Sequence, residues 1–199
     1  MKLLLAHGSS DSVHVDEVEK LTASVSQLLG ESVSSAFLSD NHLSQKAVVL
    51  PLFLGAGVHV CEDAPRLAQA SECRLLPHLG ANSDAIAALV ESATTDRTIF
   101  LLYQAEGFDS LRDSLQPYGQ VAFLHGKPSL ESVLKSERLK GNNAMTVQPM
   151  LLFPGKSLAR VRRMISESST ADIRLAPVLS ELDGFAELVA DCFRSHHET

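Results

Sequence analysis

The chain has no tryptophan, two tyrosines and three cysteines among 199 residues. Cys61, Cys73 and Cys192 are odd in number, far apart and without a C-x-x-C pair, so a disulfide framework is excluded and free thiols in a reducing cytoplasm are expected. Basic runs are missing as well. Seventeen Lys and Arg stand against 24 Asp and Glu, a formal net charge of -7, which argues against nucleic acid or an anionic membrane as the main partner. No stretch approaches the ~20 apolar residues of a membrane span. The opening apolar segment, Leu3 to Ala6, is far shorter than the apolar core of a secretion signal and runs straight into His7-Gly8-Ser9-Ser10. It reads as a first strand, and a soluble cytoplasmic protein is expected.

What is present is ordinary in composition, 45% hydrophobic and 21% charged, and long enough for one large domain or two small ones. Short apolar runs alternate with helical patterns, the signature of a parallel-sheet α/β architecture. After Leu3 to Ala6, Val18, Leu21, Val25 and Leu28 fall at helical spacing. Ser10 to Ser12 offer capping oxygens before them, and Gly30 stands where a helix-ending glycine belongs. Val33 to Leu38, Ala47 to Leu54 and Cys73 to Leu76 read as further strands. A helix is expected from about Asp63, with Pro65 in its first turn, and another over Ala85 to Ala93.

The same order then recurs. Ile99 to Leu102 matches the opening strand, and Ala122-Phe123-Leu124 matches Ala36-Phe37-Leu38. Pro149 to Gly155 lines up with Pro51 to Gly57, and Leu175 to Leu179 with Leu75 to Leu79. Four landmarks in one order predict two similar halves, residues 1–96 and 97–199, each a four-stranded parallel sheet flanked by helices. The halves differ in one respect: residues 129–140 have room for a crossover helix, whereas Ser39 to Lys46 are too few for one, so a loop is expected there.

Ligands of open parallel sheets bind beyond the carboxyl ends of the strands. His7 follows strand one, and His59 follows strand three past the Gly55-Ala56-Gly57 turn, so both imidazoles are expected at one sheet edge. Gly8 and Gly57 would admit close backbone approach to a ligand. Glu62 and Asp63 place carboxylates beside His59, as orienting groups or as ordinary helix-start acids. Such a set suits a first-row divalent ion. Aligning the halves sets His7 against Gln104 and His59 against Ser157, so the second half lacks both imidazoles and a single site, in the first half, is expected.

Leu4-Leu5-Ala6-His7-Gly8-Ser9, Pro51-Leu52-Phe53-Leu54, Gly57-Val58-His59-Val60 and Asp63-Ala64-Pro65 together resemble the CbiX/SirB sirohydrochlorin chelatases, whose long members are tandem repeats of a four-stranded α/β unit. The resemblance implies that His7 and His59 bind the entering metal and that the tetrapyrrole lies in an inter-domain cleft between the halves. Cobalt, ferrous iron or nickel would be the substrate metal, with no permanently bound cofactor. Members commonly carry a Glu after the second-strand Phe-Leu, where this chain has Ser39. The macrocycle is a polycarboxylate. Lys156 and Arg160, with Arg162, Arg163 and Arg66 further off, are the cations proposed to meet it, beside Gly8, Ser9 and Gly57. His14, His42, His78 and His125 read as surface or loop residues, and His196-His197 as a frayed tail. A monomer or weak homodimer is expected. The competing function is a metal or tetrapyrrole carrier that keeps the fold without catalysis.

Overall fold

The computed structural model describes residues 1–8, 12–94, 97–142, 144–168 and 172–196. β1 (Lys2–Ala6), β2 (Val33–Phe37), β3 (Val48–Pro51) and β4 (Arg74–Leu75) form a parallel sheet in the order β2-β1-β3-β4. β5 (Thr98–Gln104), β6 (Gln120–His125), β7 (Met145–Pro149) and β8 (Ile173–Leu175) form a second, in the order β6-β5-β7-β8. The repeat in the sequence is therefore a repeat of topology. Leu3, Leu4, Leu5 and Ala6 are each at most 2% exposed, as are Ile99 to Leu102. A central strand covered on both faces has no polar side to alternate with, which is why both read as unbroken apolar runs.

The helices are α1 (Ser12–Leu29), α2 (Ala64–Ala70), α3 (Ser83–Ala93), α4 (Asp109–Leu115), α5 (Leu130–Leu139), α6 (Lys156–Glu167) and α7 (Phe185–Arg194). Val18, Leu21 and Val25 of α1 are buried as their spacing predicts, but Leu28, the next-to-last residue of the helix, is exposed. Gly30 ends the helix in the left-handed region, φ +66°, and its N–H donates to the Gln27 carbonyl. The predicted capping residues Ser10 and Asp11 lie outside the described residues. Between β2 and β3 the chain forms no helix. Leu43 is tucked into the core instead, and its N–H donates to Ser71 Oγ at 2.8 Å. The corresponding segment of the second half holds α5, started by Ser129 Oγ, which accepts from the Ser132 N–H.

Packing divides the chain differently from the boundary at 96/97. One compact unit comprises Met1–Asn82 with Asp183–Thr199, and the other Ser83–Leu182. Phe185, Val189 and Phe193 of α7 are fully covered in the first unit, where α7 lies against α1. The Arg194 guanidinium donates to the Leu28 carbonyl, and the buried Lys2 ammonium, ion-paired with Glu31, sits 5.9 Å over the Phe193 ring. Burial pushes the Cys192 thiol on α7 up to about 11, so it is an inert core group. In the second unit α3 rests on α4, with Ser114 Oγ donating to Asp84 Oδ1 at 2.7 Å. Sequence similarity records the repeated element, whereas compactness records which apolar face covers which. Among the described residues no helix is long and apolar enough to cross a membrane.

Candidate metal centre

β1 and β3 are adjacent and parallel, so the chain leaves both at one sheet edge. The Leu52 N–H donates to the Leu5 carbonyl at 2.8 Å, extending the pairing to the residue after β3. His7 is the first residue beyond β1. After β3 the Gly55-Ala56-Gly57 turn leads into one π-helical turn, His59–Asp63, in which the Ala64 N–H reaches five residues back to the His59 carbonyl. Insertions of this kind recur at functional sites, because one extra residue per turn re-aims the side chains. Here the result is convergence: the His7 and His59 rings stand edge to face, centroids 4.5 Å apart at 74°. The Phe53 ring lies 5.9 Å from that of His59.

The hydrogen bonds fix which nitrogen of each ring holds the proton. His7 Nδ1 lies 2.8 Å from the Gly8 carbonyl oxygen, and His59 Nδ1 lies 2.8 Å from Asp63 Oδ2. Both oxygens only accept, so each Nδ1 donates and the lone pair of the neutral ring sits on Nε2. Among the described residues neither Nε2 has a hydrogen-bond partner. His7 is exposed and His59 half-buried, so both lone pairs are reachable. Gly8 stands at φ +87°, a conformation that favours glycine, and a Cβ there would come 3.2 Å from Ser39 Oγ.

Asp63 does not cap α2. Its backbone is already helical, φ -69° and ψ -50°, its side chain makes no cap bond, and its Oδ1 accepts from Arg66 Nη2 at 3.3 Å. The hydrogen bond from His59 chiefly, with Arg66 adding and partial burial opposing, holds the Asp63 carboxyl below the usual carboxylate range. Its contribution is complete above the ordinary carboxylate pKa and is lost as pH falls through the lowered value. Glu62, by contrast, is exposed and makes no hydrogen bond or ion pair among the described residues. Asp63→Asn is expected to lower metal affinity and any turnover by about 10- to 100-fold, the usual cost of losing a carboxylate behind a ligating imidazole. Titration with Co2+ checks this, and an unchanged affinity would show that the carboxylate does not orient His59.

Residues 2–96 match the family model of CbiX. Over that segment the chain is similar to CbiX. Solved structures extend the likeness in fold to 98% of the chain. One is CbiX, described as the terminal enzyme for biosynthesis of siroheme in denitrifying bacteria. It shows 18% identity, 98% of its own length covered and a TM-score of 0.70. The second is SirB from Bacillus subtilis with Fe3+, at 15% identity, 94% covered and a TM-score of 0.76. The third is the sirohydrochlorin chelatase SirB from Bacillus subtilis subspecies spizizenii in complex with cobalt, at 16% identity, 92% covered and a TM-score of 0.66. No curated protein matches the sequence.

The CbiX segment holds His7, Gly8, Gly57, His59, Glu62 and Asp63; Ser9 lies outside the described residues. A Cβ on Gly57 would meet nothing within 4 Å, so no protein neighbour demands a glycine there. Lys156 and Arg160 belong to the second unit, exposed on the first turns of α6. Strand register corrects one alignment. Leu5 pairs with Ala36 and Pro51, and Leu101 pairs with Ala122 and Pro149, so Leu5 corresponds to Leu101. His7 of the matched segment thus corresponds to Tyr103 rather than Gln104, as the match of Leu3–Ala6 with Ile99–Leu102 also requires. The second half still lacks an imidazole at both positions. Among the described residues no three His, Cys, Asp or Glu side chains gather as a closed metal cage.

Proposed function

We propose that this chain inserts a divalent metal ion, Co2+ or Fe2+ ahead of Ni2+, into sirohydrochlorin or a related tetrapyrrole, serving siroheme or cobalamin synthesis in the cytoplasm. The observation that carries this reading is the pair of imidazoles 4.5 Å apart, each with its Nδ1 proton engaged and its Nε2 lone pair open. The CbiX match and the fold shared with SirB structures holding iron and cobalt support it.

The ion is a substrate, and the site suits passage rather than retention. Two imidazoles leave coordination positions for water and then for pyrrole nitrogens, whereas four protein ligands would keep the ion. Insertion displaces two pyrrole protons. As the ion passes to the macrocycle, an imidazole Nε2 regains its lone pair and takes a proton. The two rings are unequal in this task. The Nδ1–H of His59 is held by a carboxylate, the arrangement of a histidine base, while that of His7 is held by a neutral carbonyl. His59 is therefore the principal proton acceptor and His7 the principal metal donor. Asp63 orients His59 and stays ionised, because its depressed pKa makes it a poor proton acceptor. Gly8 and Gly57 leave backbone room beside the two imidazoles, and Glu62 supplies an outer carboxylate.

The test is anaerobic absorbance of the full chain with sirohydrochlorin and Co2+, Fe2+ or Ni2+. Conversion of the free-base spectrum well above the uncatalysed rate is expected. No acceleration with any of the three metals would sink the reading. Ser39, standing where members commonly carry a carboxylate, favours one second reading, a carrier, and tight tetrapyrrole binding without turnover would establish it.

A further inference from the structure

The strand register matches the metal corner of the first unit, position by position, with a corner of the second. His7 corresponds to Tyr103, Ser39 to His125, and, through the Pro51 and Pro149 landmarks, His59 to Ser157, Glu62 to Arg160 and Asp63 to Val161. Both carboxylates of the first corner are thus absent from the second, and a guanidinium stands in place of one of them. The new residues meet. Arg160 Nη1 lies 3.4 Å from His125 Nε2, and the His125 ring lies 4.9 Å from that of Tyr103, tilted by 57°. All three side chains are exposed at the carboxyl edge of the second sheet.

We propose that this corner is a carboxylate-binding site in which the His125 imidazole and Arg160 guanidinium take the anion and the Tyr103 ring supports the flat body attached to it. A guanidinium is a donor only, so its long contact to His125 Nε2 uses one N–H of a five-donor fork. Among the described residues Arg160 makes no ion pair, whereas Arg112 and Arg194 each pair with two carboxylates. The fork is therefore unspent. A carboxylate seated on it makes short charge-assisted bonds in place of the 3.4 Å contact, and frees His125 to donate a ring N–H to the second oxygen. The half-exposed Tyr103 ring adds a stacking face, which small acids do not need and an aromatic polycarboxylate uses. Assigning the carboxylate to a tetrapyrrole rests on the function proposed above; the anion site itself does not.

The experiment follows the ring resonances of His125 by NMR in the full chain, with uroporphyrin, its octamethyl ester and citrate as probes. Uroporphyrin is expected to shift the His125 signals saturably, and the ester to leave them in place. Arg160→Gln in that titration, and His125→Gln followed instead by the absorbance of uroporphyrin, should each weaken binding about tenfold, the loss of one charge-assisted hydrogen bond, with Arg160→Lys intermediate. Citrate binding as tightly as uroporphyrin would overturn the tetrapyrrole assignment. Unmoved His125 signals with all three probes would overturn the site, even in a chain that inserts metal. A chain that inserts no metal but binds uroporphyrin through Arg160 keeps the site and loses only the chelatase reading.

Discussion

His59→Ala is expected to bring metal insertion down to the uncatalysed rate, a loss of about a thousandfold or more, while His7→Ala loses most of the rate but recovers part of it at high metal. Each variant removes one of the two proposed metal ligands, so each should bind Co2+ more weakly in the absence of tetrapyrrole. The difference lies in the proton. A positioned base contributes about 10²- to 10⁴-fold, and the ring held by the Asp63 carboxylate is the one arranged as a base. Added metal can replace a missing donor but not a missing base. Neither ring is buried, so thermal stability should stay within about 0.5 kcal/mol of the parent, and loss of activity cannot be laid to unfolding. Rates measured against metal concentration separate the two variants. Equal rescue of both would refute the division of labour, and full activity in either would remove that histidine from the site.

Much of this centre was legible because a parallel sheet turns chain order into spatial order. His7 and His59 each follow an apolar run, and when those runs pair side by side their following residues share an edge. Three features were not legible. The π-helical turn has no compositional mark, so the change in Asp63 from a helix-start acid to the partner of His59 emerges only from backbone geometry. The regrouping of α3 and α7 escaped because apolar spacing tells a helix which face to bury and not which neighbour will cover it. The cluster of Tyr103, His125 and Arg160 escaped because its members lie up to 57 positions apart on two strands and a helix, and no motif links them. His125, read from the sequence as a surface residue, is exposed, and its neighbours are what give it chemistry.

The divergence of the two halves follows from the same constraint. Apolar runs and the Pro51 and Pro149 turns are held by burial, so they persist in both sheets. The residues just past the strand ends carry little of the core and are free to change sign. In the first unit that freedom is used for imidazoles and carboxylates, in the second for a guanidinium and two rings. Chemistry can move along such an edge without disturbing the sheet beneath it, provided that the loops carrying it stay seated.

That seating is tested by Gly80→Ala, expected to destabilise the first unit by about 3 kcal/mol and to weaken metal binding together with it. Gly80 lies in the short turn Leu79–Asn82 after β4, fully buried, and its N–H donates to the Phe53 carbonyl at 2.9 Å. A Cβ there would stand 1.9 Å from the Leu54 carbonyl oxygen and 2.5 Å from its carbon. These are backbone atoms, with no rotamer to yield, so the segment from Phe53 to Gly57 must shift. That segment carries His59, and a displacement of about 1 Å at a reacting group costs on the order of 100-fold in rate. Gly119→Ala is the matched control. Its Cβ would meet the Thr98 carbonyl oxygen at 2.4 Å, an equivalent backbone clash in the second unit, which holds neither histidine of the candidate metal centre. Denaturant unfolding and Co2+ titration of the two variants should show similar losses of stability but weakened metal binding only in Gly80→Ala. Unchanged Co2+ affinity in a destabilised Gly80→Ala would mean that His59 is held by its own turn and Asp63 alone, without support from the strand loop behind it.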